Sequence, residues 1–239
     1  MKILSIGNSF SQDAQRYLHR LAKQDGENLT TVNLYIAGCD LRRHYLNILE
    51  DSVAYELQCN GESSGVRVSI KQALIGDEWD VITLQQASHL SGKSQTYSPY
   101  IEELAAYVKK YCPHAKIFIH QTWAYEDGSE RLTNVAGYSS AKDMFVHIRD
   151  SYQKAEQAIC ADGVIPCGEV MLKALERGIK KVHRDTFHAS LGIGRYLLAL
   201  CWYKKLLGKD ITKNSFNDFD ESVTEEEKII ALATVNAVV

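Results

Sequence analysis

The stretch Ile3-Leu4-Ser5-Ile6-Gly7-Asn8-Ser9-Phe10-Ser11 joins a short apolar run to a polar turn. The run at residues 3–7 predicts a buried β-strand that ends on glycine. Apolar residues then recur at helical spacing in residues 13–23, so a helix is expected to follow. Ser9 would therefore lie at a strand-to-helix turn, with its hydroxyl directed into a cleft at the carboxyl end of the strand.

The same alternation of apolar runs and amphipathic stretches continues along the chain. Predicted strands cover residues 3–7, 31–36, 81–84, 116–120 and 163–166. Predicted helices cover residues 13–23, 41–49, 101–111, 141–159, 168–176, 191–207 and 224–235. Strands separated by helices of this length form parallel βαβ units. The pattern predicts a flavodoxin-like three-layer α/β/α sandwich around a mainly parallel sheet.

Residues 53–70 depart from this pattern and predict a small hairpin insertion. Two strand-like runs, at residues 53–57 and 66–70, flank a polar loop at residues 60–65. Within it, Gly61-Glu62-Ser63-Ser64-Gly65 matches Gly-x-Ser-x-Gly, the nucleophile elbow of α/β-hydrolases. That elbow needs a helix directly after it, whereas the residues that follow alternate as a strand does. We therefore predict that Ser63 lies in a hairpin loop and is not catalytic.

Composition excludes several classes of partner. The chain has 239 residues, 27 Lys+Arg against 30 Asp+Glu, and a formal net charge of -3. This balance gives no electrostatic basis for binding nucleic acid or an anionic membrane. No run approaches the roughly 18–20 apolar residues that span a bilayer. No secretory signal is visible, so the expected compartment is cytoplasmic, or periplasmic or secreted if a leader has been removed.

The chain is expected to form one domain over residues 1–239, with C-terminal helices at 190–239 as part of it. Its cysteines form no CxxC pair, which argues against a zinc or redox site and favours free thiols. They are Cys39, Cys59, Cys112, Cys160, Cys167 and Cys201.

Residues that carry acyl-transfer chemistry follow several predicted strands. Serine is a weak nucleophile without a base, and Asp185-Thr186-Phe187-His188 supplies one, oriented by the carboxylate three residues before it. Gly38 follows the second strand, where its N–H can approach a developing oxyanion without hindrance from a Cβ. Gln85 follows the third strand and offers a side-chain amide for the same purpose.

This ordered set resembles the SGNH (GDSL-type) hydrolase family across most of the chain, and an esterase-like subgroup of it with a Gly-Asn-Ser-Phe first block. The family's Gly-Asp-Ser block is matched by Gly7-Asn8-Ser9, its glycine after strand two by Gly38, and its Asp-x-x-His block by Asp185 and His188. The resemblance implies that Ser9 is the nucleophile, His188 the base and Asp185 its orienting acid. The backbone N–H groups of Ser9 and Gly38 would form the oxyanion hole.

Two departures from the family pattern affect the expected site. Asn8 replaces the usual aspartate of the first block and can make similar structural hydrogen bonds. The third block has Gln85-Gln86-Ala87-Ser88 in place of Gly-x-Asn. It resembles the Gln-Gly-Glu-Ser variant of carbohydrate acetylesterases, which points to Gln85 as the third oxyanion donor and leaves Gln86 as the alternative.

The resemblance implies a serine esterase that removes a small acyl group, such as O-acetyl, from a small-molecule or glycan ester. A lipase- or thioesterase-like hydrolase and a non-catalytic carbohydrate-binding module with the same fold are the alternatives. Candidate substrate contacts near strand ends are Gln86, His89, Trp123 and Tyr125. No HExxH or His-x-His motif is present, so neither a metal nor a cofactor is expected. The oligomeric state is left open.

Overall fold

The computed structural model describes residues 1–239 and contains one seven-stranded sheet. Its strands are β1 (Lys2–Gly7), β2 (Thr30–Tyr35), β3 (Tyr55–Cys59), β4 (Glu62–Val68), β5 (Val81–Leu84), β6 (Lys116–His120) and β7 (Gly163–Ile165). The strand order is β4-β3-β2-β1-β5-β6-β7, and only β3 runs in the opposite direction to the other strands. The predicted flavodoxin-like, mainly parallel sheet is confirmed.

Nine α-helices cover the two faces of the sheet. They are α1 (Ser9–Gln15), α2 (Leu18–Gln24), α3 (Leu41–Glu50), α4 (Ile70–Ile75), α5 (Tyr100–Tyr111), α6 (Ala141–Ile159), α7 (Cys167–Glu176), α8 (Ile193–Leu207) and α9 (Glu225–Val238). The first, second, seventh, eighth and ninth pack together on one face, and α3 to α6 pack on the other. The three predicted layers are therefore present.

The order of the strands fixes where a site can form. From β1 the chain first moves to β2 on one side and later returns to β5 on the other side of β1. Two successive crossovers thus leave in opposite directions, which opens a crevice at the carboxyl ends of β1 and β5. Ser9 follows β1 directly and therefore lies at this crevice.

The predicted hairpin is present, but it is tighter than the sequence indicated. Asn60 and Gly61, at φ 52° and 83°, form a two-residue turn between β3 and β4. A Cβ on Gly61 would come within 2.7 Å of the Arg16 carbonyl oxygen, so glycine is required there. The predicted loop at residues 60–65 is wrong, because β4 already begins at Glu62. Ser63 is the exposed second residue of β4, and its hydroxyl donates to the Glu56 carboxylate.

The helices also differ from the prediction in places. The single helix predicted at residues 13–23 is two helices, α1 and α2. The first helix begins at Ser9 and not near residue 13, because the Asn8 side chain accepts the Phe10 N–H and Ser11 completes a capping box. Helix α4 was not predicted. Its signal was available, since Ser69 and Gln72 form a second capping box just before the apolar residues of that helix.

One apolar core extends from Ile3 to Val235 and contains 61 buried residues. It includes residues of α8 and α9. That residues 1–239 form one domain stays a prediction. All six cysteines are free thiols, and Cys59 and Cys160 are exposed. None of the helices combines the length and the apolar character needed to cross a membrane.

Two buried histidines make stability depend on pH. Burial lowers the pKa of His44 and of His120 from 6.5 to about 3, so both are neutral in the folded protein. Between these pH values the unfolded chain binds protons that the folded chain does not. Stability is therefore complete above the unfolded pKa and falls as pH decreases, by up to about 1.4 kcal/mol per pH unit for each histidine.

We expect His44→Gln to reduce the slope of the unfolding free energy against pH, between about pH 6 and 5, by the equivalent of close to one bound proton. Carboxylates contribute little to the slope in this range. The measurement is the free energy of unfolding in urea at several pH values. The slopes against pH are compared between variant and wild type, because the variant is also less stable at every pH. His114→Gln, at an exposed histidine, is the matched control and should keep the wild-type slope. An unchanged slope in His44→Gln would contradict the account.

Candidate active site

Ser9 is placed by the turn between β1 and α1. Asn8 caps the helix in extended conformation, so Ser9 is the first helical residue and its N–H has no partner within the helix. Asn8 itself is 1 % exposed, whereas Ser9 is partly exposed and lines an open cleft of about 580 Å³. The hydroxyl and the N–H of the same residue are thus available at one point of the cleft.

The structure brings the three residues of the predicted triad together. His188 Nε2 lies 2.8 Å from Ser9 Oγ, and His188 Nδ1 lies 2.7 Å from Asp185 Oδ2. The other carboxylate oxygen, Asp185 Oδ1, accepts the backbone N–H of His188 at 2.9 Å, which fixes the orientation of the carboxylate. Partial burial raises the pKa of Asp185, but the hydrogen bonds from His188 outweigh it and the pKa lies below its usual value. The carboxylate is therefore ionised and holds Nδ1 as the protonated nitrogen.

A turn with unusual backbone geometry presents Asp185 and His188 on the same side. Thr186, between them, has φ 74°, which few residues other than glycine adopt. Its carbonyl oxygen accepts the Glu126 N–H at 2.8 Å. The Trp123 indole donates to the Phe187 carbonyl oxygen at 2.8 Å. The loop after β6 thus supports the turn that carries Asp185 and His188 by donating to two of its backbone carbonyls.

Asp13, one turn after Ser9 on α1, connects this helix to the loop that carries Asp185 and His188. Its carboxylate is fully buried and bonds Arg184 and Arg195, each at 2.9 Å. It also accepts the Ala189 N–H at 3.2 Å. Arg184 and Ala189 flank the loop that carries His188. The distance from His188 to Ser9 therefore depends on this buried ion pair.

Ser9 and Gly38 each present a backbone N–H group that has no hydrogen-bond partner in the protein. Gly38 lies in a turn closed by a bond from the Cys39 N–H to the Ile36 carbonyl oxygen, and its own N–H has no partner. Its φ of 62° and the empty space around it leave the backbone accessible. Gly38 and Ser9 line the same cleft. Their role as oxyanion donors stays a prediction.

Gln85 lies beneath the nucleophile turn and does not line the cleft. It is 1 % exposed, its Nε2 donates to Asn8 Oδ1 at 2.7 Å, and its Oε1 lies 2.8 Å from His120 Nδ1. Since Oε1 accepts, the neutral imidazole carries its proton on Nδ1. Asn8 Nδ2 in turn donates to the Cys39 carbonyl oxygen at 3.0 Å. This chain of amides ties the Ser9 turn to the Gly38 turn, so Gln85 positions two donors and is not presented as a third.

The alternative donor, Gln86, is also directed inward. Its Oε1 accepts the Leu41 N–H at 3.0 Å, and its Nε2 donates to the Thr96 carbonyl oxygen at 3.1 Å. These bonds fix the start of α3 and the loop after β5. Sequence reasoning placed both glutamines at a strand end correctly, but it could not tell which way their side chains turn.

Of the four candidate substrate contacts, two line the cleft. His89 is half-buried there, and the Tyr125 hydroxyl lies 2.8 Å from Ser88 Oγ. Gln86 lies outside the cleft. Trp123 is fully buried and stacks on Phe10 at 4.2 Å between ring centroids, so it supports the cleft from below. Other lining residues were not predicted as substrate contacts, among them Tyr35, Arg131, Arg184 and Phe187.

A larger cavity of about 1010 Å³ lies elsewhere, around Lys2, Trp79 and Lys116 near the amino ends of the strands. It contains Cys112 and His114, which are not hydrogen-bonded to each other. A nucleophile bonded to a base occurs in the cleft of Ser9. We therefore assign the candidate active site to the smaller cleft.

The description that matches the chain is "Domain of unknown function (DUF4886)", over residues 2–237. The chain belongs to this family. A DUF4886 family protein from Bacteroides uniformis has a crystal structure that is 33% identical, with a TM-score of 0.92, and the match covers 100% of this chain and 94% of that one. None of the curated proteins matches the sequence.

Two more distant structures share the fold of this DUF4886 protein. A candidate SGNH hydrolase from Slackia heliotrinireducens is 23% identical with a TM-score of 0.61, covering 85% of this chain and 97% of that one. Axe2, an acetylxylan esterase from Geobacillus stearothermophilus, is 15% identical with a TM-score of 0.53, covering 85% and 93%. The fold that the SGNH resemblance implied is confirmed, while the match of Gly7-Asn8-Ser9-Phe10 to the family's first block stays a prediction.

The amide chain predicts a specific effect of Gln85→Ala in this DUF4886 protein. Without Gln85 the Asn8 side chain loses a partner, and the Ser9 and Gly38 turns are no longer tied to β5. We expect kcat of the esterase proposed below to fall by about 10-fold to 100-fold with little change in KM, because displaced catalytic groups mainly lose transition-state contacts. The loss of buried hydrogen bonds should also destabilise the fold by about 1–3 kcal/mol.

Gln86→Ala is the matched control, since it removes an equally buried amide that does not contact the nucleophile turn. It should lose a similar amount of stability, measured by urea unfolding. Its loss of kcat, measured by steady-state kinetics, should be smaller than that of Gln85→Ala. A larger loss of kcat in Gln86→Ala than in Gln85→Ala would contradict this assignment.

Proposed function

We propose that this protein is a serine esterase that hydrolyses a small acyl ester, an O-acetyl group on a carbohydrate, through an acyl-enzyme. The observation that carries the proposal is the hydrogen-bonded series from Ser9 through His188 to Asp185, at 2.8 and 2.7 Å, beside an open cleft. A nucleophile, a base and an orienting acid in this order are the geometry of acyl transfer.

In the first half of the reaction, His188 Nε2 takes the proton of the Ser9 hydroxyl as Oγ attacks the ester carbonyl carbon. Negative charge develops on the carbonyl oxygen, where the N–H groups of Ser9 and Gly38 donate to it. Asp185 stabilises the imidazolium that forms. The ester C–O bond then breaks, and His188 delivers its proton to the departing alcohol oxygen.

In the second half, a water molecule takes the place of the alcohol. His188 removes a proton from this water as its oxygen attacks the acyl carbon bound to Ser9 Oγ. The same two N–H groups stabilise the second tetrahedral intermediate. Its collapse releases the carboxylic acid and returns the proton to Ser9, so no cofactor is consumed.

A carbohydrate acetate is supported by two observations. The cleft is open and mixes aromatic with polar lining residues, among them Tyr35, Tyr125 and His89. Aromatic faces and hydroxyl groups suit a sugar better than a long alkyl chain. The likeness in fold to an acetylxylan esterase points in the same direction.

Ser9→Ala should lower the hydrolysis of para-nitrophenyl acetate by at least about 10³-fold, because no other group can form the acyl-enzyme. The measurement is the release of nitrophenol above the uncatalysed rate. Ser63→Ala is the matched control, since Ser63 is the serine of the Gly-x-Ser-x-Gly motif but lies in the exposed strand β4. Equal rates in wild type and Ser9→Ala would favour a binding module that has kept the fold.

The length of the acyl chain tests the substrate class. We expect para-nitrophenyl acetate and acetylated oligosaccharides to be hydrolysed with higher kcat/KM than the octanoate or decanoate esters, since a shallow cleft offers long chains little apolar contact. The comparison is a steady-state series at fixed enzyme concentration. A preference for the long chains would replace the carbohydrate esterase by the lipase- or thioesterase-like alternative.

A further inference from the structure

The cleft of Ser9 and His188 is lined by basic residues and by no acidic one. Its fifteen lining residues include Arg131 and Arg184, but neither aspartate nor glutamate. The chain as a whole carries a formal net charge of -3, so this distribution does not follow from composition. Asp185 lies behind His188, and Asp40 caps α3 outside the lining residues.

The two arginines differ in their partners. Arg184 bonds the buried carboxylate of Asp13, so its charge is neutralised within the protein. Arg131 is exposed, and its guanidinium forms no ion pair or hydrogen bond with another side chain or with the backbone. It therefore leaves one uncompensated positive charge at the cleft.

Arg131 is nevertheless held in place. It begins a π-helical turn at Arg131–Ala136, and its guanidinium carbon lies 3.8 Å from the ring centroid of Phe187. A guanidinium over an aromatic face is attracted by the ring and loses part of its conformational freedom. Its hydrogen-bond donors remain free to bind a ligand in the plane of the group.

The position of Arg131 relative to the catalytic base identifies the part of the substrate that it would meet. His188 must protonate the departing alcohol, so the alcohol portion lies on the side of its imidazole. Phe187 contacts that imidazole, with ring centroids 3.8 Å apart, and Arg131 covers Phe187. The free guanidinium thus lies beside the leaving group and not beside the acyl group.

We propose that Arg131 is a specificity-determining residue that binds a carboxylate on the alcohol portion of the substrate. This inference rests on the proposed esterase function and narrows its substrate class to acylated sugar acids or similar acylated hydroxy acids. A planar carboxylate matches the paired donors of a guanidinium in a way that a neutral hydroxyl does not.

The test compares two acetate esters that differ in one charge on the leaving group, para-acetoxybenzoate and para-acetoxybenzamide. In the wild-type protein and in Arg131→Gln, the ratio of kcat/KM for the carboxylate over the amide is measured at low and high salt. We expect Arg131→Gln to lower this ratio by about 10-fold to 100-fold at low salt, the range of one charge-assisted hydrogen bond. High salt should reduce the difference. Mono-O-acetyl galacturonic acid against mono-O-acetyl galactose repeats the comparison on sugars.

Arg149→Gln is the matched control, because Arg149 is an exposed arginine on α6 with no ion pair, and its removal changes the net charge equally. It should leave the ratio at the wild-type value. A ratio that is the same in Arg131→Gln and wild type, or that falls equally in Arg149→Gln, would overturn the inference.

The proposed function and this inference fail in different ways. Turnover of the neutral amide ester that is lost in Ser9→Ala establishes the esterase whatever Arg131 does. If neither ester is hydrolysed, calorimetric titration with para-hydroxybenzoate tests the subsite directly. Binding that is lost in Arg131→Gln supports it, and equal or undetectable binding by both proteins overturns it.

Discussion

The buried carboxylate of Asp13 on α1 holds the loop that carries Asp185 and His188 against the helix that begins at Ser9. It is fully buried between Arg184 and Arg195, which lie more than 170 residues later in the chain. An ion pair in this position need not add stability, because desolvation offsets much of the attraction, but the loss of one partner leaves a buried charge without compensation. Its main effect is geometric. It brings Ala189 and the adjacent His188 within reach of Ser9, one helical turn before Asp13, so the triad depends on a contact that performs no chemistry.

The sequence was sufficient to predict the fold and the proximity of Ser9, His188 and Asp185, because both depend on local patterns. Apolar runs alternating with amphipathic stretches determine a parallel sheet, and such a sheet gathers the residues after its strands at one edge. Ser9 and Gly38 lie there for that reason. Asp185 and His188 are joined by a turn of three residues, so their contact is almost as local. The capping boxes at Asn8 and Ser69 are also local, but neither entered the prediction of the helix starts.

The remaining parts of the site depend on which way side chains turn and on contacts between distant segments. A glutamine at a strand end can enter the cleft or point beneath it, and only the presence of His120 and Asn8 below the turn decides this for Gln85. Trp123 was expected at the rim but packs on Phe10. No sequence pattern indicated Arg131. Its proposed role depends on the absence of a partner for its side chain and on the absence of acidic side chains from the cleft. Five separate segments line that cleft, so neither absence can be read from one stretch of sequence.

The hairpin and the last strand bear on how this sheet meets other molecules. Sheet edges expose unpaired N–H and C=O groups, which can pair with a strand of a second molecule. Here one edge is β7, only three residues long. The other is β4, with charged residues at Glu62 and Arg67, a glycine at its centre, and a shift in register against β3 between Glu56 and Gln58. Short, charged and irregular edges pair poorly, so the architecture that opens a cleft at one end of the sheet also protects its sides against edge-to-edge aggregation.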